Sequence, residues 1–124
     1  MTYAWIVAGA AAGAPLRYFV GSKIGSWLAW GSFPVGTLVV NLTGCLAIGL
    51  FLGAAEGRDF LTREARLFLV TGLLGSYTTF SAFGWETYAL ARGDEAVRAA
   101  LYLGLSVMGG VLAVWAGAAM AKTG

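Results

Sequence analysis

Apolar and polar positions along this chain fall into long blocks instead of alternating. Charge-free runs cover residues 1–16, 24–55, 67–85 and 99–121, and about 20 apolar residues span the hydrocarbon core of a bilayer. The blocks predict four membrane-spanning helices, over about residues 2–21, 35–54, 62–91 and 95–121, so the expected class is an all-α membrane protein with residues 1–124 as a single transmembrane domain. Glu56-Gly-Arg-Asp59 and Arg92-Gly-Asp-Glu95 are the polar turns. The first run is the shortest, but it continues past Arg17 through Tyr18-Phe19-Val20, and a long side chain near a helix end can snorkel to the interface. Between the first two helices, residues 21–34 mix Lys23, Trp27 and Trp30 with turn residues. That composition predicts a short segment lying in the headgroup layer.

The third block is the unusual one. Gly72-Leu-Leu-Gly-Ser-Tyr-Thr-Thr-Phe-Ser-Ala-Phe-Gly-Trp-Glu86 lies in the most apolar part of the chain, yet its glycines and hydroxyls suit a continuous helix poorly. A break near residues 75–78 is expected, with helix resuming through Phe80. Non-helical backbone survives at membrane depth only where it is buried in protein or lines a cavity, which marks the stretch as a functional centre. Interrupting a helix frees carbonyls that suit a small hard cation. Thr78, Thr79 and Ser81 add hydroxyls. Phe80 and Phe83, three apart, share a helix face. An aromatic ring has a positive edge, so two rings presented edge-on favour an anion without formal charge, and conduction needs binding weak enough to release. Helix packing is the competing role for both rings.

Other positions admit two readings each. Gly9-Ala-Ala-Ala-Gly13 puts two glycines on one face for close helix packing. Pro15 and Arg17 interrupt the second half of helix one, and Arg17 is either a snorkelling anchor or the wall of an aqueous cavity. Thr37, Asn41 and Cys45 form one stripe of helix two; a carboxamide in hydrocarbon is costly unless hydrogen-bonded, so the stripe either bonds a neighbouring helix or offers donors to a passing solute. Thr62 and Glu64 suit the start of helix three. Glu86, near the interface beside Trp85 and Tyr88, is structural or mouth-lining in preference to a proton carrier. On helix four Tyr102 and Ser106 share a face, and Gly109-Gly110 gives close packing or a bend.

Composition narrows the classes. The chain is 59% hydrophobic and 11% charged with no histidine and one cysteine, Cys45, which excludes an intrachain disulfide, a zinc site and a cysteine/histidine nucleophile. No plausible base and nucleophile share a face, so an enzyme is not expected. No basic residue precedes the first apolar run, which argues against a cleavable signal peptide, and the scattered basic residues form no stripe for nucleic acid. Four crossings would give one side Arg58, Arg63, Arg66 and Lys122, and the other Lys23, Arg92 and Arg98, with Arg17 near it. Orientation normally follows an excess of Lys and Arg in cytoplasmic loops. Neither side has one, so insertion both ways round is expected, the alternative being a fixed orientation set by a weak bias or an insertion factor.

Three strings then carry a resemblance. Gly13-Ala-Pro-Leu-Arg17-Tyr18, Gly36-Thr-Leu-Val-Val-Asn41-Leu-Thr-Gly44 and the Gly72 to Glu86 string resemble the signatures of the Fluc (CrcB) fluoride channels, in order and over all four helices. The resemblance implies an antiparallel dual-topology homodimer with two fluoride pathways along its interface and a central structural sodium ion that is not transported. By motif position, backbone carbonyls of Gly75 and Thr78 from both subunits would hold the sodium. Phe80 and Phe83 would be edge-on fluoride ligands, and Asn41 would donate its amide near one pore end. Tyr102 and Ser106 would line the path with Thr37, Thr79 and Ser81, and Arg17 and Glu86 would lie at the mouths. The family often has hydroxyls where this chain has Ala82 and Gly84, so Ser81, Thr79, Ser106 or water must serve instead.

The implied role is passive export from a prokaryote across its inner membrane. Neutral HF enters through the bilayer and dissociates in a less acidic cytoplasm, and a pore lets the membrane potential expel the anion. No phosphate-binding Gly-x-x-x-x-Gly-Lys loop is present. The rivals are a dual-topology small multidrug exporter, which needs an acid in helix one where this chain has none, and a noncatalytic membrane assembly subunit. The latter would explain the small-residue faces but not Asn41 beside the hydroxyl-rich stretch.

Overall fold

The computed structural model describes residues 1–59 and 61–123, with the side chain of residue 123 left aside. Helix α1 spans Thr2–Trp27, α2 Val35–Ala55 and a short α3 Arg63–Arg66. A π-helical segment, Leu67–Leu74, follows α3 and leads into one turn of α-helix, α4, Gly75–Tyr77. Then come α5, Phe80–Arg92, and α6, Ala96–Thr123. Residues Val35–Ala55, Arg63–Arg92 and Ala96–Lys122 are long and apolar enough to cross a membrane. Helix α1 is less aliphatic, but its 26 residues reach about 39 Å at 1.5 Å per residue.

Two boundaries differ from the sequence expectation. Helix α1 runs on to Trp27, past the expected end at residue 21, with Pro15 inside it. Ser22 to Trp27 contain no proline, and Ile24 still accepts a hydrogen bond from Leu28 N–H at 2.8 Å, so nothing stops the helix until the Trp30 to Pro34 turn. The segment expected in the headgroup layer is therefore reduced to residues 28–34. In the third block, Gly75 is helical (φ −62°, ψ −35°), and the extended residues are Thr78 (φ −85°, ψ 156°) and Thr79 (φ −145°, ψ 115°). Thr78 closes the first stretch, its N–H and its hydroxyl both donating to Leu74 C=O at 3.1 Å. Thr79 opens the second as an N-cap, its hydroxyl accepting from Ala82 N–H at 3.1 Å.

The helices meet through glycines more than through large side chains. Lipid tails are as apolar as leucine, so association rests on close backbone approach and interhelical hydrogen bonds. On α1, a methyl added at Gly9 would meet Phe68 O and, at 2.7 Å, Leu73 N; one at Gly13 would meet Ser76 Oγ and Leu73 O. A methyl added at the facing Gly72 would lie 3.0 Å from Gly9 Cα. On α2, Gly49 and Gly53 face Val114 and Ala118 of α6 in the same way. Two small side-chain clusters fill the remaining space: Leu38, Phe83, Leu90, Ala99 and Tyr102 in one, and Val40, Leu74 and Tyr77 in the other. The α1–α2 connection is tied to α6 by Ser32, whose Oγ donates to Glu95 Oε2 at 2.6 Å and accepts from Arg98 Nη1 at 2.9 Å. That tie brings Phe33 edge-on to Tyr102, with ring centroids 5.6 Å apart at 78°.

Candidate functional site

Helix α2 faces the junction of α4 and α5 with a row of polar atoms, and each has a defined partner. Asn41 Oδ1 accepts from Thr79 N–H at 2.8 Å, and Asn41 Nδ2 donates to Thr79 C=O at 3.2 Å. Thr43 Oγ1 lies 2.8 Å from Tyr77 OH and, at 2.8 Å, donates to Val39 C=O. Thr37 Oγ1 donates to Glu86 Oε2 at 3.0 Å, and Tyr102 OH donates to Glu86 Oε1 at 3.0 Å. Of the two roles open for the stripe Thr37, Asn41 and Cys45, bonding to a neighbouring segment is realised for Thr37 and Asn41. Cys45 carries a free thiol, half-buried.

A cavity of about 480 Å³ opens between α2, the π-helical segment, α5 and α6. Its wall holds Asn41, Cys45, Gly75, Thr78, Thr79, Phe80, Phe83 and Ser106 among aliphatic residues, and none of its described lining residues is charged. The Phe80 and Phe83 rings stand 5.7 Å apart at 53°. They differ in surroundings: Phe83 is 8% exposed and packs on Tyr102, whereas Phe80 is 83% exposed. Ser106 Oγ is buried with no hydrogen-bond partner among the described residues. A second cavity, about 260 Å³, is lined by Arg17, Tyr18, Gly21, Ser22, Thr37, Val40, Thr79 and Ala82. The Nε of Arg17 is buried there without a partner among the described residues. Thr79 belongs to both walls.

The structure thus gathers Asn41, Thr79, Phe80, Phe83 and Ser106 at one cavity and Arg17, Thr37 and Thr79 at the other. Ser81 is exposed beside them, its Oγ 3.4 Å from Thr79 Oγ1. Tyr102 is fully buried behind Phe83 and lies in neither wall. Its hydroxyl instead joins that of Thr37 in holding Glu86, which serves as a node between α2, α5 and α6. Gly75 reaches the larger cavity and is exposed; its carbonyl lacks the helical donor it would have, because Thr79 N–H points to Asn41. Sequence reasoning missed Thr43 with Tyr77 and the Ser32, Glu95 and Arg98 tie; hydroxyls two residues either side of flagged positions were the available signal. Tyr102→Phe leaves Glu86 Oε1 without its donor and is expected to lower stability by about 1–3 kcal/mol, read as a lower melting temperature of the detergent-solubilised protein, with Leu101→Phe on the exposed side of α6 unchanged.

These features define a small multi-pass helical membrane protein with an uncharged cavity lined by aromatic rings and hydroxyls. A family model described as CrcB-like protein, Camphor Resistance (CrcB), matches residues 4–118, and the chain belongs to that family. It is 40% identical over 121 residues to a Flavobacterium psychrophilum protein, covering 98% of this chain and 97% of that one. It is 45% identical over 120 residues to one from Chloroflexus aurantiacus, covering 94% and 92%. A Roseiflexus protein is 46% identical over 120 residues, covering 94% of each. Each of the three is named fluoride-specific ion channel FluC.

Proposed function

We propose that this chain is a passive fluoride channel that lets fluoride leave the cytoplasm, and that it is not an enzyme. The observation carrying this is the Phe80 and Phe83 pair on a cavity wall that has no formal charge yet offers the hydroxyls of Thr79 and Ser106 and the Asn41 amide. Ring edges and hydroxyl protons are positive, so they replace part of a small anion's hydration. A lysine or arginine at the same place would hold the anion too strongly for rapid release. Arg17 lines the neighbouring cavity and not the larger one, so it would raise the local anion concentration beside the phenylalanine pair without binding at it. The full-length relatives named as fluoride-specific channels support the same ion.

The working unit is an antiparallel homodimer of two inversely inserted copies, each with residues 1–124 as one membrane unit of four crossings, in the inner membrane of a prokaryote. Two features support it: Phe80 is 83% exposed on the wall of the larger cavity, and the basic residues are balanced across the loops. A second copy would close that cavity. Cysteines placed at loop positions 57 and 93 in a Cys45→Ser background are each expected to react with impermeant reagents from both sides of intact membranes; reaction of each from one side only would reject dual insertion. Sodium fits the centre of such a dimer. Oxygen donors suit it, and the carbonyl of the exposed Gly75, released from its helical donor, is one such oxygen; Thr78 C=O beside it would be the second from each copy. The ion would supply a fixed positive charge that ties two copies together.

The function is tested by reconstituting the purified chain alone in liposomes loaded with potassium fluoride. Efflux released by a potassium ionophore, without any proton gradient, is expected. Efflux that needs a proton gradient, or liposomes that stay tight to fluoride, would reject the reading.

A further inference from the structure

Thr79 is gripped at both backbone groups by one side chain. In an unbroken helix its N–H would donate to Gly75 C=O, four residues back. It donates to Asn41 Oδ1 instead, at 2.8 Å, and Asn41 Nδ2 takes up Thr79 C=O at 3.2 Å. One residue earlier the helical pattern still holds, since Thr78 N–H donates to Leu74 C=O at 3.1 Å. The helix therefore ends one carbonyl short of Gly75, at the residue whose donor Asn41 has taken. Helix α2 also holds the other flank of the interruption, through Thr43 Oγ1 and Tyr77 OH at 2.8 Å. Thr79 is in turn the residue shared by both cavity walls.

We infer that Asn41 is a positioning residue for the cation and the anion together. By holding Thr79 in an extended conformation it keeps the interruption from closing into helix, leaves Gly75 C=O free to face a cation, and fixes the Thr79 hydroxyl between the Arg17 cavity and the phenylalanine cavity. This rests on the proposed reading of the sodium site and the fluoride path. It alters the part expected of Asn41 from sequence, where its amide was a donor to passing fluoride: one Nδ2 hydrogen and one acceptor direction of Oδ1 are committed to the backbone of Thr79. Without the carboxamide, Thr79 N–H would lose its partner, and the acceptor that its own segment offers in its place is Gly75 C=O, so the backbone would close toward helix.

The test uses the full-length purified dimer and two readouts. The first is the melting temperature against sodium concentration, with choline keeping ionic strength constant. The second is hydrogen exchange at the Thr79 amide. Asn41→Leu is expected to weaken the half-saturating sodium concentration by about tenfold or more, the equivalent of one such hydrogen bond, and to change exchange at Thr79. Leu101→Phe, on the exposed side of α6 and in neither cavity wall, is expected to leave both readouts as in the parent. An unchanged sodium response in folded Asn41→Leu would overturn the inference. If the parent itself ignores sodium, the cation reading fails, and the grip of Asn41 on Thr79 is then decided by exchange alone. Should Asn41→Leu not fold, the parent suffices: its Thr79 amide must exchange slowly with and without sodium, and rapid exchange in either condition would overturn the inference.

Discussion

Phe80→Ile lowers fluoride flux by about tenfold while each protomer keeps its fold. The expectation follows from where the ring stands. Phe80 is 83% exposed, so replacing it removes little packing within the protomer, yet it lines the uncharged cavity 5.7 Å from Phe83. Isoleucine keeps the apolar bulk and discards the positive ring edge. An aromatic contact is worth about 0.5–1.5 kcal/mol beyond its area, and about 1.4 kcal/mol in a barrier is tenfold in rate. Phe83→Ile should show the same loss of flux together with destabilisation of about 1–3 kcal/mol, because Phe83 is 8% exposed and packs on Tyr102 at 5.2 Å between centroids. Parallel flux and melting measurements separate the two effects. Parent-like flux in folded Phe80→Ile and Phe83→Ile would show that the rings only pack.

The second large effect is at Gly117, where α2 and α6 touch backbone to backbone. A methyl there would meet Leu46 O, Leu50 N at 2.9 Å and Gly49 C at 3.2 Å. Backbone atoms cannot rotate aside as a flexible side chain does, so Gly117→Val must push the helices apart, and with no hydrophobic drive between helices in lipid the lost contact is not recovered elsewhere. No folded protein should be recovered from Gly117→Val. On the same helix, Gly104 has nothing within 4 Å of an added methyl, and Gly104→Val should purify and melt like the parent. Equal yields for the two would remove close approach as the basis of the fold.

What the sequence discloses follows the scale of each interaction. Helix α2 was legible almost to the residue, because a charge-free run bounded by Pro34 and Glu56 has little freedom in a bilayer. The end of α1 was not: glycine and serine after Lys23 read as turn residues, but in the absence of a proline they stay helical to Trp27. The π-helical stretch was also hidden. Leu67–Leu74 carries no local signal for it, and its wider turn lets Gly72 meet Gly9 while Gly75 faces outward. Asn41, Phe80, Phe83 and Ser106 could be singled out because each is costly or conspicuous in hydrocarbon. Their partners could not, since Asn41 with Thr79, and Glu86 with Thr37 and Tyr102, depend on how helices distant in sequence are rotated against one another. Tyr102 shows this most clearly. Its spacing from Ser106 put it on a shared face, but Phe33 and Phe83 enclose its ring and Glu86 takes its hydroxyl.

Fluoride moving down its own gradient through this chain, without a coupled proton, is most directly measured as the reversal potential of the purified protein in a planar bilayer. With unequal fluoride on the two sides and chloride present throughout, the current should reverse at the fluoride equilibrium potential and stay there when a pH difference is imposed. A reversal potential that moves with pH, or that follows chloride, would contradict passive fluoride conduction.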